Sequence, residues 1–103
     1  MVDYSITELD ISSKGLTQLP DDIDKYTNLQ ELNCWANHLT SLDNLPPNLQ
    51  ELYCGNNRIT SLDNIPLTLK ELDCEYNPLI YDFELIIENI RKYNATRKLS
   101  SNT

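Results

Sequence analysis

Hydrophobic residues recur along the chain in a pattern that repeats every 20 residues. Segments 29–39, 49–59 and 69–79 align without a gap, and each reads L-x-x-L-x-C-x-x-N-x-[LI]. A divergent copy at 6–16 fits the same template, with Ile11 at the cysteine position and Lys14 at the asparagine position. Around the second leucine, apolar residues alternate with polar ones, which is the period of a β-strand. The pattern predicts one short strand per unit, with these leucines on the core face: Leu9, Leu32, Leu52 and Leu72.

The spacing of the units predicts how the strands are arranged. Equal spacing favours strands that stack parallel and in register, because a single unit cannot bury its apolar face without neighbours. The segment that returns to the next strand is too short for a long helix. It carries apolar pairs such as Leu42 with Leu45, and prolines that suit an extended path. We therefore predict a repeat solenoid: a short arc with one parallel β-sheet, extended or polyproline-like return segments and a C-terminal capping helix.

These motifs make residues 6–80 resemble the leucine-rich repeat family. The 20-residue units that end in Leu-Pro or Ile-Pro look like the short class of repeat in bacterial effector proteins, and the cysteine-bearing units look like those of giant viruses of amoebae. The resemblance implies a short leucine-rich-repeat arc. Such effectors often carry a separate ubiquitin-ligase domain after the repeats, but no segment of these 103 residues is long enough to form one, so that activity is not expected here.

We expect residues 1–94 to form a single domain, with repeats at about 6–28, 29–48, 49–68 and 69–80. After the last repeat, the apolar residues change to a helical spacing, which predicts a capping helix over about 83–93. Residues 95–103 are polar and basic, and we expect them to be a disordered tail. The predicted apolar face of the helix consists of Phe83, Ile86, Ile87, Ile90 and Tyr93.

Two polar or reactive residue types recur once per repeat. Each asparagine follows its strand where the chain turns, so its amide is expected to satisfy backbone groups of neighbouring turns. Each cysteine occupies a core position, so it is expected to pack as a small hydrophobe. A zinc site needs ligands that converge on one point, whereas these thiols lie along a line, so we expect no metal and no cofactor. The two sets are Asn37, Asn57 and Asn77, and Cys34, Cys54 and Cys74.

The charge of the chain is large and unevenly placed. Sixteen acidic and eight basic residues give a net charge of −8. Residues 1–90 hold all sixteen acidic and four basic residues, a net charge of −12, whereas 91–103 holds four basic residues, a net charge of +4. Such an acidic body is a poor partner for nucleic acid or an anionic membrane surface, because both are polyanions. No apolar run approaches the ~20 residues that cross a bilayer.

The N-terminal sequence bears on the compartment in which the protein works. It lacks a basic segment followed by an apolar one, so no secretory signal is expected. We therefore expect reduced cysteines and a cytoplasmic location, or the host cytoplasm if the protein is viral or an effector.

The residues that alternate with the core positions form the candidate site. They are mostly acidic, and they include aromatic residues, which commonly anchor protein interfaces. One interpretation is a solvated face whose repeats were copied by duplication; the other is a binding site in which glutamates steer a basic partner towards the aromatic anchors. The candidate partner-binding residues are Glu31, Asn33, Trp35, Glu51, Tyr53, Glu71, Asp73, Glu75 and Tyr76.

No constellation of catalytic residues is evident. His38, the single histidine, lies in a turn position that other repeats fill with Arg58 and Pro78. The carboxylates lie on an open surface, without the burial that tunes a general acid. We therefore expect a non-catalytic protein-interaction module that binds a protein or peptide, expected to be basic, and exists as a monomer or weak homo-oligomer. The alternative is a structural unit that self-associates through its sheet ends or acidic face.

Overall fold

The computed structural model describes the backbone of residues 2–101 and the side chains of residues 2–97. Its centre is one four-stranded sheet in which consecutive strands are neighbours and every pair is parallel. The register aligns the four core leucines, since Leu9 pairs with Leu32, Leu32 with Leu52 and Leu52 with Leu72. The predicted parallel solenoid is therefore confirmed. The strands are β1 (Glu8–Asp10), β2 (Glu31–Asn33), β3 (Glu51–Tyr53) and β4 (Glu71–Asp73).

The core lies on one face of this sheet and continues into the return segments. Leu32 and Leu52 are fully buried, as are the cysteines that follow them at positions 34 and 54. Leu42 and Leu62, on the return segments, close the core from the opposite side. Burying a leucine side chain contributes about 1.5–3 kcal/mol, so a stack of identical layers gains most where each layer has two neighbours.

The three cysteines are free thiols in the core, as their positions predicted. Burial raises the pKa of Cys34 to about 12 and that of Cys74 to about 11, because a buried thiolate loses its hydration. The pKa of Cys54 is also raised well above its ordinary value, chiefly by burial. These thiols are therefore protonated and unreactive near neutral pH.

The chain leaves each strand through the same left-handed turn. The residue before each recurrent asparagine, or before Lys14 in the first repeat, has a φ between 53° and 61°. Residues other than glycine, asparagine and aspartate adopt this conformation at a cost of about 1–2 kcal/mol. The turn aims the next side chain, the asparagine, back into the stack. The turn residues are Ser13, Ala36, Asn56 and Tyr76.

The asparagines join consecutive repeats through their side-chain amides. Nδ2 of Asn57 donates to the carbonyls of Cys34 and Cys54 at 3.0 Å, and its Oδ1 accepts from the Leu39 amide at 3.0 Å. Asn37 and Asn77 make the equivalent bonds one repeat earlier and one repeat later. The predicted structural role is confirmed, because these bonds satisfy backbone groups where the strands have ended.

The first repeat closes the N-terminal end of the stack. Its longer return segment includes a 3-10 helix, Ile23–Lys25. The ring of Tyr4 packs edge-on against Tyr26 at 5.0 Å, and its hydroxyl donates to Asp22 Oδ2 at 2.8 Å. The N-terminal segment therefore packs against the first repeat.

The C-terminal helix, α1, spans Ile87–Ser101, so the predicted bounds of 83–93 are wrong. Residues 79–87 instead alternate strictly between half-buried and exposed, which is the period of an extended chain. Tyr81 and Phe83 stack at 5.0 Å, and Ile86, expected on the apolar helix face, is 42% exposed. The alternation was present in the sequence, and the helical spacing of the same residues concealed it.

The prediction that residues 95–103 are disordered is also wrong for residues 95–101. Residues 95–101 continue α1, and residues 102–103 lie outside the described chain. The helix is held against the return segment of the third repeat. Nη2 of Arg91 donates to three carbonyls, those of Pro66, Leu67 and Leu69, at 2.9–3.2 Å, and Arg97 pairs with Asp63 at 3.2 Å. These contacts favour the helix beyond the residues whose spacing suggested it.

Candidate interaction surface

The side chains opposite the core form three columns across the sheet, which we call the open face. Register pairs Glu8, Glu31, Glu51 and Glu71 in one column, and Asp10, Asn33, Tyr53 and Asp73 in the next. The third column follows the strands, where Ala36 N–H donates to Gly55 O and Asn56 N–H to Glu75 O, both close to 3 Å. It contains Ser12, Trp35, Gly55 and Glu75.

The first column places four carboxylates at the spacing of neighbouring strands. Strands lie about 4.8 Å apart, and like charges directly opposite one another are destabilising. Tyr53 offsets part of this repulsion, because its hydroxyl donates to Glu71 Oε2 at 3.2 Å. Desolvation, that hydrogen bond and the carboxylates of the column all raise the pKa of Tyr53. The open face is therefore strongly negative around this phenol.

The carboxylates of the open face have no cationic partner within residues 2–97. The two ion pairs formed among these side chains are Lys92 with Glu88, at 3.4 Å, and Arg97 with Asp63, and both belong to the C-terminal helix. None of the twelve residues in the three columns is lysine or arginine. The negative charge is therefore available to a partner from outside this part of the chain.

Two predicted site residues have a local structural role. Asn33 Oδ1 accepts from the Trp35 amide at 3.0 Å, and Asp73 Oδ1 accepts from the Glu75 amide at 3.3 Å. Asp10 Oδ1 accepts from both the hydroxyl and the amide of Ser12, and these two bonds, the hydroxyl's first, lower the pKa of Asp10. Each of these bonds fixes the backbone after a strand and so positions the third column. Asn33 thus orients Trp35 through the backbone.

Trp35 lies across the open face above the next repeat. A Cβ atom added at Gly55 would overlap atoms Cζ3 and Cε3 of the indole, so the ring occupies the space that a side chain at position 55 would need. The indole meets the ring of Tyr76 at 83°, with 6.3 Å between centroids. We call these two rings the aromatic corner. Sequence reasoning selected both rings but missed Gly55, although a glycine in a column with tryptophan was a usable signal.

The aromatic residues on and beside the open face are not part of the core. Trp35 and Tyr53 are half-buried, and Tyr76 is 74% exposed although it occupies a left-handed turn that disfavours a large side chain. Core packing therefore does not explain the aromatic ring at position 76. The structure brings Trp35 and Tyr76 together and places Tyr53 separately, against Glu71.

A groove that the sequence did not predict lies at the outer edge of β4. It has a volume of about 450 Å³ and runs from the open face to the segment before α1. One wall is polar and carries Lys70 beside two carboxylates, and the other wall is apolar. Its lining includes Tyr53, Glu71, Asp73, Leu85, Ile86 and Ile87.

The geometry of the fold alone defines the class of this protein. Parallel strands in register, repeated turns and an asparagine that joins each repeat to the one before it are the features of a solenoid repeat protein. The comparisons specify the family: residues 47–88 match the family model described as leucine rich repeats (2 copies). The matched residues are leucine-rich repeats, as their motifs indicated. No curated protein and no solved structure matches it.

The family sets the general expectation for this surface. Leucine-rich repeat domains generally mediate protein–protein interaction, and they are typically non-catalytic. Among the described residues, no group of three potential ligands is placed to hold a metal ion. In the same part of the chain, no helix is both long and apolar enough to pass through a bilayer.

Proposed function

We propose that this protein is a non-catalytic interaction module that binds a basic protein or peptide on its acidic, aromatic-containing open face, the concave side of the arc. The observation that carries the proposal is a carboxylate column that has no cationic partner within residues 2–97, with two half-buried aromatic rings and one exposed ring beside it. Neither feature stabilises the fold, since the carboxylates repel one another and Tyr76 lies outside the core. A cationic partner would relieve the repulsion and bury the rings.

The two features contribute differently to binding. Carboxylates on an exposed face mainly raise the association rate and make it sensitive to salt. Partly buried aromatic residues act as anchors, and truncating one at an interface costs about 2 kcal/mol or more. We therefore expect salt to weaken association through the glutamates, and the loss of Trp35 or Tyr53 to speed dissociation.

The test compares variants that remove equal charge from opposite sides of the protein. Glu51→Gln with Glu71→Gln neutralises the centre of the open face, whereas Asp21→Asn with Asp24→Asn removes the same charge from exposed positions on the first return segment. Partners captured from lysate on the unmodified protein should be basic, lost with the first pair and retained with the second.

A second pair of variants tests the aromatic anchors. Trp35→Ala with Tyr53→Ala should abolish capture of the same basic partners while circular dichroism shows an intact fold. Retention of those partners by both the charge variant and the aromatic variant would refute the proposed face. Capture of acidic partners alone would also refute it.

The groove at β4 supports a second candidate, self-association through the sheet end. Among residues 2–101 no strand pairs with the outer edge of β4, and Ile86 beside it is 42% exposed. Pairing with β1 of another copy would place glutamate against glutamate, so it should strengthen with salt. Light scattering across concentration and salt tests it, because a monomer under all conditions would eliminate this function.

For the setting in which the module works, we propose a reducing compartment such as the cytoplasm. The support is the set of three free thiols in a core without a disulfide among the described residues. Localisation of the tagged protein in cells that express it would test this directly.

A further inference from the structure

We propose that the aromatic corner formed by Trp35 and Tyr76 is the specificity pocket for an arginine side chain of the partner. This inference rests on the proposed function, because it assumes that a basic ligand binds the open face. It goes further by naming the side chain that is recognised and the two rings that recognise it.

The corner depends on the absence of a side chain at one position. In the third column, Trp35 is followed across the sheet by Gly55 and then by Glu75. Because Gly55 has no side chain, the indole extends over it towards the last repeat and reaches the ring of Tyr76. Any other residue at position 55 would displace the indole and open the corner.

The geometry of the two rings suits a flat cation. Their planes meet at 83°, so they form two walls at nearly a right angle. A cation over the face of tryptophan or tyrosine is attracted by the negative charge of the ring face. Guanidinium is planar, stacks on aromatic faces and is weakly hydrated, whereas an ammonium group is compact and strongly hydrated. A guanidinium group can stack on one ring while its edge meets the other, and this favours arginine over lysine.

The charges around the corner complete the site. Glu75 adjoins Gly55 in the third column and immediately precedes Tyr76. Asp73 lies on β4, two residues before Glu75. Asp73 directs Oδ1 to the Glu75 amide, which leaves its second oxygen available. The edge of a stacked guanidinium carries donors that match a carboxylate in pairs. An ammonium group lacks this fixed arrangement of donors.

The experiment uses two peptides that differ only in the cation. The acetylated and amidated octapeptides (Gly-Arg)4 and (Gly-Lys)4 have the same length and charge, and titration calorimetry at low salt gives both affinities. Wild type should bind the arginine peptide about tenfold more tightly, a difference of about 1.4 kcal/mol. Since Trp35 is the single tryptophan, its fluorescence should change with the arginine peptide.

Three variants separate the corner from the general charge. Gly55→Ala displaces the indole without changing any charge, and Tyr76→Asn removes one wall while keeping a residue that tolerates the left-handed turn. Both should reduce the preference for arginine to less than about twofold, because the arginine peptide loses more affinity than the lysine peptide. Tyr53→Leu, which removes a ring outside the corner, should preserve the preference for arginine.

The outcomes distinguish failure of the arginine pocket from failure of the proposed binding of basic partners. If wild type binds both peptides equally, or prefers lysine, the aromatic corner is not an arginine pocket, although the acidic face still binds cations. If Gly55→Ala and Tyr76→Asn keep the full preference, the corner is likewise excluded. If neither peptide binds wild type with a Kd below about 1 mM at low salt, binding of basic partners itself is refuted.

Discussion

Replacing Asn57 with alanine should lower the free energy of unfolding by about 3–4 kcal/mol, from the following accounting of its hydrogen bonds. The side chain is 8% exposed, and its amide bonds to both neighbouring layers. After the change, the carbonyl of Cys34 keeps the Asn37 donor and that of Cys54 keeps the Asn77 donor. The Leu39 amide, by contrast, loses its acceptor at a fully buried position.

The magnitude follows from counting these groups. A buried amide left without an acceptor costs about 1–3 kcal/mol. Nδ2 of Asn57 contacts three carbonyls, those of Cys34, Cys54 and Gly55, with only two hydrogens, so we count two lost bonds at about 0.5–1.5 kcal/mol net each. The sum, centred near 4 kcal/mol, is large beside the ~5–15 kcal/mol that stabilises a typical domain. Relaxation of the turn reduces the cost somewhat, which gives the expected 3–4 kcal/mol.

Urea unfolding followed by far-ultraviolet circular dichroism measures the effect. With a slope of about 1.5 kcal/mol per molar urea, the midpoint should fall by about 2–2.7 M and the slope should not change. Asn64→Ala is the matched control, since Asn64 is exposed on a return segment and its loss should stay within about 0.5 kcal/mol. Equal effects of the two substitutions would show that the asparagine amides do not hold the layers together.

Three further predictions concern the turn, the helix and the thiols. Ala36→Gly should stabilise the fold by about 0.5–1 kcal/mol, measured by urea unfolding, because glycine tolerates the left-handed turn. Arg91→Ala should cost about 2 kcal/mol and speed amide exchange in α1, whereas the exposed Lys92→Ala should change little. Unfolded thiols ionise from about pH 9 upward while the buried thiols stay protonated, so stability should fall with rising pH. Cys54→Ala should reduce that slope by about 1.4 kcal/mol per pH unit; an unchanged slope would contradict the burial argument.

The sheet was predictable because each repeat has the same pattern of apolar and polar residues. Leu32, Leu52 and Leu72 occupy equivalent positions in local sequences that share the motif L-x-E-L-x-C, so their register follows from the period alone. Because all the repeats predict the same strand position, few alternative pairings of the strands are compatible with the sequence. The buried asparagines and cysteines follow from the same argument.

The C-terminal segment was less predictable because it occurs once. Phe83 and Ile87 fit both an alternating and a helical period, and nothing elsewhere in the chain decides between them. The structure selects the extended path because the rings of Tyr81 and Phe83 stack and the hydroxyl of Tyr81 accepts a hydrogen bond from the Leu62 amide at 2.8 Å. That contact joins residues 19 apart in sequence, and single-segment periodicity contains no information about it.

The candidate site was only partly predictable for a related reason. Column membership follows from the repeat, so the carboxylates and rings of the open face could be selected. The contact of Trp35 with Tyr76 depends on how one side chain crosses a neighbouring repeat. The direction of the Trp35 side chain depends on Gly55, because the indole occupies the space that a side chain there would need. The pattern of hydrophobic residues does not indicate such a space.

The asparagine that bridges adjacent layers also makes the interior units interchangeable. A unit copied from 49–68 and inserted after residue 68 would bring its own amide, thiol and turn, and both terminal closures would keep their contacts. The protein could therefore lengthen by whole units through gene duplication, widening the sheet by about 4.8 Å each time. Every added unit would also add a glutamate to the same row, so growth would be limited by accumulating electrostatic repulsion rather than by packing.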